Sequence, residues 1–378
     1  MNPFTPATIA PLAQQFGTPL WIYDADTITR QIAALRLFDV VRFAQKANSN
    51  THILRLMKRQ GAVVDSVSLG EIERALAGGF TPGLHNGHAD IVFTADLLDR
   101  ATLARVVELN IPVNCGSMDM LDQLGAVNPG HPVWLRINPG FGHGHSKKTN
   151  TGGEHSKHGI WHGDLVRACE KIKSNGLALQ GLHMHIGSGV DYAHLQEVCG
   201  AMLKLVEVVN AQGLDLHAIS AGGGLSVPYQ AGEPTIDTAH YFSLWDAVRH
   251  AVEQLLGHPV KLEIEPGRYL MAESGVLVTE VRATKQQGAN HFVMVDAGFS
   301  DLARPALYGA YHGMELIHSD GTAVNCLQID TVVAGPLCES GDGFTQGEGG
   351  AVLHRSLPQA QGGDLLGWND TGADGGSM

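Results

Sequence analysis

Between residues 40 and 265 the chain repeats one unit eight times: a short apolar run of strand character, then a longer amphipathic stretch. The runs are VVRFAQ ending at Gln45, VDSV at 64–67, DIVF at 90–93, IPVN at 111–114, VWLRIN at 133–138, LQGLHMHI at 179–186, LHAIS at 216–220 and VKLEIE at 260–265. Strands that alternate with helices build parallel sheets, and eight of them in series predict a closed (β/α)8 barrel. Helix starts keep the same register. Ser68 and Glu71 form a capping-box pattern, and Asn48 to Asn50 precede the apolar spacing Ile53, Leu54, Met57. After residue 275 the rhythm changes to GVLVTEVRA, HFVMVDAG and LQIDTVVAG with no barrel-type helix between them, which reads as a separate β-rich domain. The expected organisation is an N-terminal segment at 1–29, packing with the β domain through PLWIYD at 19–24, a barrel at 30–272, and a β domain at 273–378.

Composition narrows the class of partner. The net charge is -13, charged residues make up 17% of the chain, and no basic run is present. That balance argues against nucleic acid or an anionic membrane and for a small molecule. The segment MNPFTPATIAPLAQQFG has no basic stretch followed by an apolar one, and no apolar run approaches a membrane span, so a cytoplasmic location is expected. Five cysteines, an odd number with no C-x-x-C pair, are expected to be free thiols.

Barrel chemistry is built at the C-terminal ends of strands, so the polar residues that fall there are the candidates. Lys46 follows the first run and Asp65 lies in the second. His183 and His185 alternate with Leu182, Met184 and Ile186, an arrangement that puts both imidazoles on one strand face. Gly222, Gly223 and Gly224 follow the seventh run, and Glu265, Pro266, Gly267 and Arg268 the eighth. Each has an ordinary reading when taken alone: a surface lysine, hydrogen-bonded core histidines, a plain glycine turn, a structural ion pair. The set is more specific. An amine for a Schiff base, an imidazole to stack on a ring, a side-chain-free phosphate cradle and a carboxylate for a pyridine nitrogen are the parts that pyridoxal 5'-phosphate (PLP) requires. The His-x-His pair also fits a metal-dependent barrel hydrolase, which would need further ligands; Asp296 is offered, but outside the barrel. The long irregular stretch 139–159 exceeds ordinary connections and is expected to be functional.

In the β domain, DLARPALYGAYH supplies Arg304, Tyr308 and Tyr311, and AGPLCESGDGF supplies Cys338, Glu339 and Asp342. A substrate with a second zwitterionic end needs a cation for its distal carboxylate and an anion for its distal ammonium. Arg304 and Glu339 have those signs, and Cys338 beside an acid can deliver a proton.

Taken in order, KANSN, SxGE, HxHIGS, GGGL, EPGR, DAGFSDLxRPALYGAYH and GPLCESGD resemble the diaminopimelate decarboxylases, PLP enzymes of the alanine-racemase-like barrel class. The resemblance runs from about residue 15 to the end. It implies that Lys46 carries the cofactor as a Schiff base, that His185 stacks on its ring, and that Ser188, Gly222, Gly223, Gly224 and Arg268 surround its phosphate. It further implies that Glu265 meets the pyridine nitrogen, that Arg268, Arg304, Tyr308 and Glu339 bind substrate, and that Cys338 donates the proton. The implied reaction converts meso-diaminopimelate to L-lysine and CO2, in a homodimer whose Cys338 segment enters the other subunit's site. Family members usually continue beyond the terminal NDTGADGGSM and have tyrosine at the position of Asp374. The expectation from this is a truncated chain with an incomplete β domain, and a non-catalytic relative is the alternative. Ornithine or arginine decarboxylation is disfavoured, because those substrates lack the distal carboxylate that Arg304 and Tyr308 would bind.

Overall fold

The structure, a computed structural model, describes residues 3–142, 151–185, 187, 192–322, 324 and 326–375. Eight parallel strands, Val40–Ala44, Val63–Ser66, Ile91–Ala95, Val113–Cys115, Pro132–Asn138, Ala178–His183, Ala218–Ser220 and Lys261–Ile264, pair in sequence order. The last pairs with the first, Glu263 opposite Val40, and so closes the ring. These are the eight apolar runs, so the barrel expectation is met. Strands covered on both faces need no polar alternation; the first and fifth are buried at every position. Side chains also lock the closing seam. Arg42 donates to Glu263 Oε2 through Nε (3.1 Å) and Nη2 (2.9 Å), and its Nη1 donates to the carbonyls of Val64 and Ala89.

Helix N-termini follow the side-chain logic of capping. Asn50 accepts from the His52 N–H at 2.9 Å, opening Thr51–Arg59, and Ser68 accepts from the Glu71 N–H at 3.3 Å, opening Leu69–Ala77. The return bond of the expected capping box is displaced by one residue: Glu71 Oε2 accepts from the N–H of Val67 rather than of Ser68.

The chain forms two compact units. One comprises residues 29–226 and 235–270 and contains the barrel; the other comprises residues 1–28, 227–234 and 271–378. The second unit is built on a mostly antiparallel sheet in which Gly275–Gln287 pairs with Leu20–Tyr23, Asn290–Val295 and Leu365–Trp368. Alternation along that long strand serves two cores. Val276 and Val278 pack with Ile9, Ala10 and Ala13 of the helix Pro6–Phe16, while Leu277 and Val281 pack with Val293, Phe344 and Trp368. No helix among the described residues is long and apolar enough to cross a membrane.

Candidate active site

The barrel brings Lys46, Asp65, His185, Gly222, Gly223, Gly224, Glu265, Pro266, Gly267 and Arg268 to the C-terminal ends of its strands. Ser188 lies outside the described residues. Lys46 is exposed in the short turn Gln45–Ala47 that leaves the first strand. Buried Gln45 anchors that turn, its Nε2 donating to Ser66 Oγ (2.5 Å) and to the Glu71 carbonyl (3.1 Å). The Lys46 charge acts to lower both Glu71 and His185.

The two histidines have separate duties. The sequence places them on one strand face, but the sixth strand stops at His183 and His185 belongs to the segment after it. His183 is buried, and its Nε2 pairs with Glu265 Oε2 at 2.6 Å. That contact joins strand ends 82 residues apart. His185 Nδ1 accepts from the Gly223 N–H at 3.2 Å, which assigns the ring proton to Nε2. Burial, reinforced by the Arg136, Lys46 and His183 charges, pushes His185 well below the ordinary imidazole range, so the ring is neutral. With His183 engaged by Glu265 and His185 by the glycine turn, the pair belongs to no group of three possible metal ligands among the described residues.

Two buried carboxylates divide the charge between them. Burial acts to raise Glu265, but His183, Arg42 and Arg136 outweigh it and hold Glu265 below the usual carboxylate range. Burial and the Glu265 charge drive Asp65 well above that range, against a Thr94 hydrogen bond and Arg42. The same fields thus favour the charge on Glu265 and disfavour it on Asp65. Arg136, on the fifth strand and only 8% exposed, was not singled out from the sequence, yet its charge bears on Glu265, Asp65 and His185 alike.

Gly222, Gly223 and Gly224 are required for a steric reason. A Cβ at these positions would stand 2.1 Å from the Met184 carbonyl, 2.4 Å from the Glu265 carbonyl and 2.2 Å from the Gly187 carbonyl, and Gly222 and Gly224 have φ of 65° and 105°. Part of the expected N–H cradle is already committed, because the Gly222 N–H is held by Ser220 Oγ and the Gly223 N–H by His185. In the long connection, buried Asn138 fixes the described part by bonding to the backbone of Gly140, Gly153 and His158. Asp96 adds a pair with His158 Nδ1 and accepts from the Gly159 N–H.

In the β-rich unit, Arg304 starts the short helix Arg304–Tyr308 and is 4% exposed. Its Nη1 donates to His312 Nε2 at 3.1 Å, His312 Nδ1 donates to the Asn369 carbonyl at 3.0 Å, and the guanidinium lies 5.0 Å from the Tyr229 ring centre. Neither His312 nor Tyr229 carried a sequence signal for this role. Cys338 and Glu339 are exposed on another loop. Asp342 organises that loop by accepting from the N–H groups of Phe299 (2.7 Å) and Leu337 (2.8 Å).

Residues 25–272 match the family described as pyridoxal-dependent decarboxylase, pyridoxal binding domain. A diaminopimelate decarboxylase of Escherichia coli K12 is 65% identical over 368 residues, covering 97% of this chain and 86% of that relative. A crystal structure of diaminopimelate decarboxylase superposes with a TM-score of 0.94 at 64% identity, covering 99% of this chain and 88% of the other. This chain belongs to the diaminopimelate decarboxylase family. The structure of the Helicobacter pylori diaminopimelate decarboxylase complexed with L-lysine is more distant, at 30% identity and a TM-score of 0.86, covering 97% of this chain and 89% of that one.

The cofactor of a diaminopimelate decarboxylase is PLP, and the barrel mouth fits it. An ionised Glu265, braced by His183, suits a protonated pyridine nitrogen; a neutral imidazole at His185 suits a ring face; and a turn that admits no Cβ lets backbone approach a phosphate closely.

Proposed function

We propose that the chain decarboxylates meso-diaminopimelate to L-lysine, with Lys46 as the amine that holds PLP and Cys338 as the proton donor. When bound, PLP supplies the electron sink for the pair released as CO2 departs. Glu265 keeps its negative charge at the mouth, through His183, and so favours a protonated ring nitrogen. His185 presents a neutral ring face. Gly222, Gly223, Gly224, Ser188, Pro266, Gly267 and Arg268 surround the phosphate region, and Asp65, raised by burial and by the Glu265 charge, completes the cofactor site. Arg268, Arg304 and Tyr308 bind substrate, Glu339 takes the distal ammonium, and the Cys338 thiol returns a proton to the carbon that has lost its carboxylate.

The observation that carries this reading is the 2.6 Å pair between His183 Nε2 and Glu265 Oε2, which holds a carboxylate in the barrel mouth next to a glycine turn that admits no Cβ. The exposure of Cys338 and Glu339 agrees with a homodimer in which this loop serves the partner's site. The Helicobacter pylori relative, complexed with L-lysine, supports the product. A cytoplasmic location is part of the proposal.

The test is the visible spectrum of protein reconstituted with PLP, together with CO2 release from meso-diaminopimelate. Wild-type protein is expected to show the absorption band of lysine-bound PLP and to turn over. Lys46→Ala is expected to lose the band and at least about 10^3-fold of the activity, the scale seen when a covalent group is removed. A wild-type band without CO2 release would leave a PLP-binding, non-catalytic relative. A band that persists in Lys46→Ala would remove Lys46 from its role.

A further inference from the structure

The opposite end of the barrel carries a second cluster that the decarboxylase chemistry does not use. Among the described residues, one group of three ligand-bearing side chains has its ligand atoms all within 4.8 Å of one another: Asp215, His217 and His258. Asp215 and His217 lie just before the seventh strand and His258 before the eighth, at strand N-termini, whereas the cofactor residues lie at strand C-termini.

The backbone around the cluster is fixed. The His217 N–H donates to the Gln180 carbonyl at 2.9 Å and its carbonyl accepts from Lys261 at 2.9 Å, so this residue is tied to both neighbouring strands. The Val260 N–H donates to Glu253 Oε1 at 3.0 Å and steadies the His258 turn. His258 Nδ1 faces the Pro259 carbonyl at 3.0 Å while Nε2 faces Asp215 Oδ1 at 2.8 Å. The Asp215 contact is an ion pair when the imidazole is protonated, and a divalent ion would take the place of the Nε2 proton between the two ligand atoms. The Pro259 carbonyl would keep the Nδ1 proton in place, as an outer-shell carbonyl does for metal-bound histidine. The His217 ring centre, 5.8 Å from that of His258, supplies a third donor. His217 also lines a cavity of about 400 Å3 whose other walls include Lys261, Arg249 and Glu253.

We propose that Asp215, His217 and His258 form a binding site for a divalent transition ion, with two imidazole nitrogens and one carboxylate oxygen as ligands and water completing the shell. That donor set selects Zn2+, Co2+ or Ni2+ over Mg2+ or Ca2+, which require more oxygen ligands. The ion joins the turn after the helix Tyr192–Ala211 to the turn after the helix Thr238–Leu256. Its role is to brace the base of the barrel, remote from the chemistry.

The test uses PLP-loaded protein freed of metal with a chelator and then titrated with Zn2+ by calorimetry and with Co2+ by visible absorption. Wild-type protein is expected to bind one equivalent of Zn2+ at micromolar Kd or tighter, to show a Co2+ band typical of four or five ligands, and to gain thermal stability with Zn2+. His217→Gln and His258→Gln are each expected to weaken Zn2+ binding by at least about tenfold and to lose the Co2+ band, while Cys338→Ser keeps both. Circular dichroism checks each variant, and Asp215→Asn replaces either one that does not fold. Zn2+ binding that is equal in wild type and the histidine variants, or absent below about 1 mM in wild type, overturns the proposal.

Discussion

In the barrel mouth the ionisable groups are tied to one another: Glu265 to His183, Asp65 to the Glu265 charge, and His185 to the Gly223 N–H. Cys338 and Glu339, in the other unit, stand exposed on a loop whose shape is set mainly by Asp342, with Glu339 Oε1 adding one bond from the Gly341 N–H at 3.3 Å. The mouth thus has its electrostatics built into the fold, and changing one member disturbs the rest. The loop gives its reactive groups little structural duty. Substitutions in the mouth should therefore cost both activity and stability, and substitutions on the loop should cost activity alone.

Glu265→Gln should produce the largest combined effect. It removes the fixed negative charge that favours a protonated ring nitrogen, so turnover is expected to fall by about 10^2- to 10^3-fold with PLP saturating, a loss of roughly 3–4 kcal/mol of transition-state stabilisation. The same change deprives buried His183 of an ionised partner, and the cofactor-free protein should lose about 1–2 kcal/mol in denaturant unfolding. An unchanged unfolding midpoint would break the comparison, because the mouth would then be no more interdependent than the loop.

Cys338→Ser sharpens the other side. Loss of the proposed proton donor should lower kcat by about 10^2-fold. Because the residue is exposed and bears none of the loop's described anchoring bonds, the melting temperature should stay within about 1 °C of wild type. A marked fall in melting temperature would show that Cys338 also carries structure.

The eight strands were legible because closed parallel barrels bury strands on both faces and leave continuous apolar runs, and the glycine triplet was legible because no other residue fits so close to three carbonyls. What escaped were the relations across the fold. His183 and Glu265 are separated by 82 residues, and only barrel closure brings the ends of the sixth and eighth strands together. Period-two alternation grouped His183 with His185, but the strand stops between them and the premise stops with it. Arg136 looked like one polar residue within an apolar run; its influence on three site groups comes from position in the ring of strands. Two of the glycine N–H groups are already taken, one by Ser220 beside the turn and one by His185 from 38 residues away, and neither bond could be read from the triplet itself.

Arg304 shows that the β-rich unit also contains a pre-arranged element, intermediate between mouth and loop. His312 receives the guanidinium at Nε2 and is held by the Asn369 carbonyl at Nδ1, so its tautomer fixes how Arg304 points. His312→Gln should raise KM for meso-diaminopimelate about tenfold while kcat changes less than about threefold, a split expected of a positioning residue. Equal losses in kcat and KM would move His312 out of that role.

The smallest effect tests whether the β-rich unit also stores electrostatic cost away from its site residues. Asp370 has its carboxyl raised to about 6, by burial first and by the charge of Glu273 second. A folded-state value above the unfolded one means that the native state holds this proton more tightly. The residue therefore costs nothing at pH below about 4, and its cost grows as pH rises toward and past 6. Asp370→Asn keeps a residue type that tolerates the local φ of 57° and removes the charge. The variant should be more stable than wild type by about 1–2 kcal/mol at pH 8, with the gain reduced by roughly half at pH 5. Unfolding curves at the two pH values read that change. A gain independent of pH would assign the effect to packing, and a loss at pH 8 would mean that the Asp370 charge has a favourable partner that outweighs Glu273.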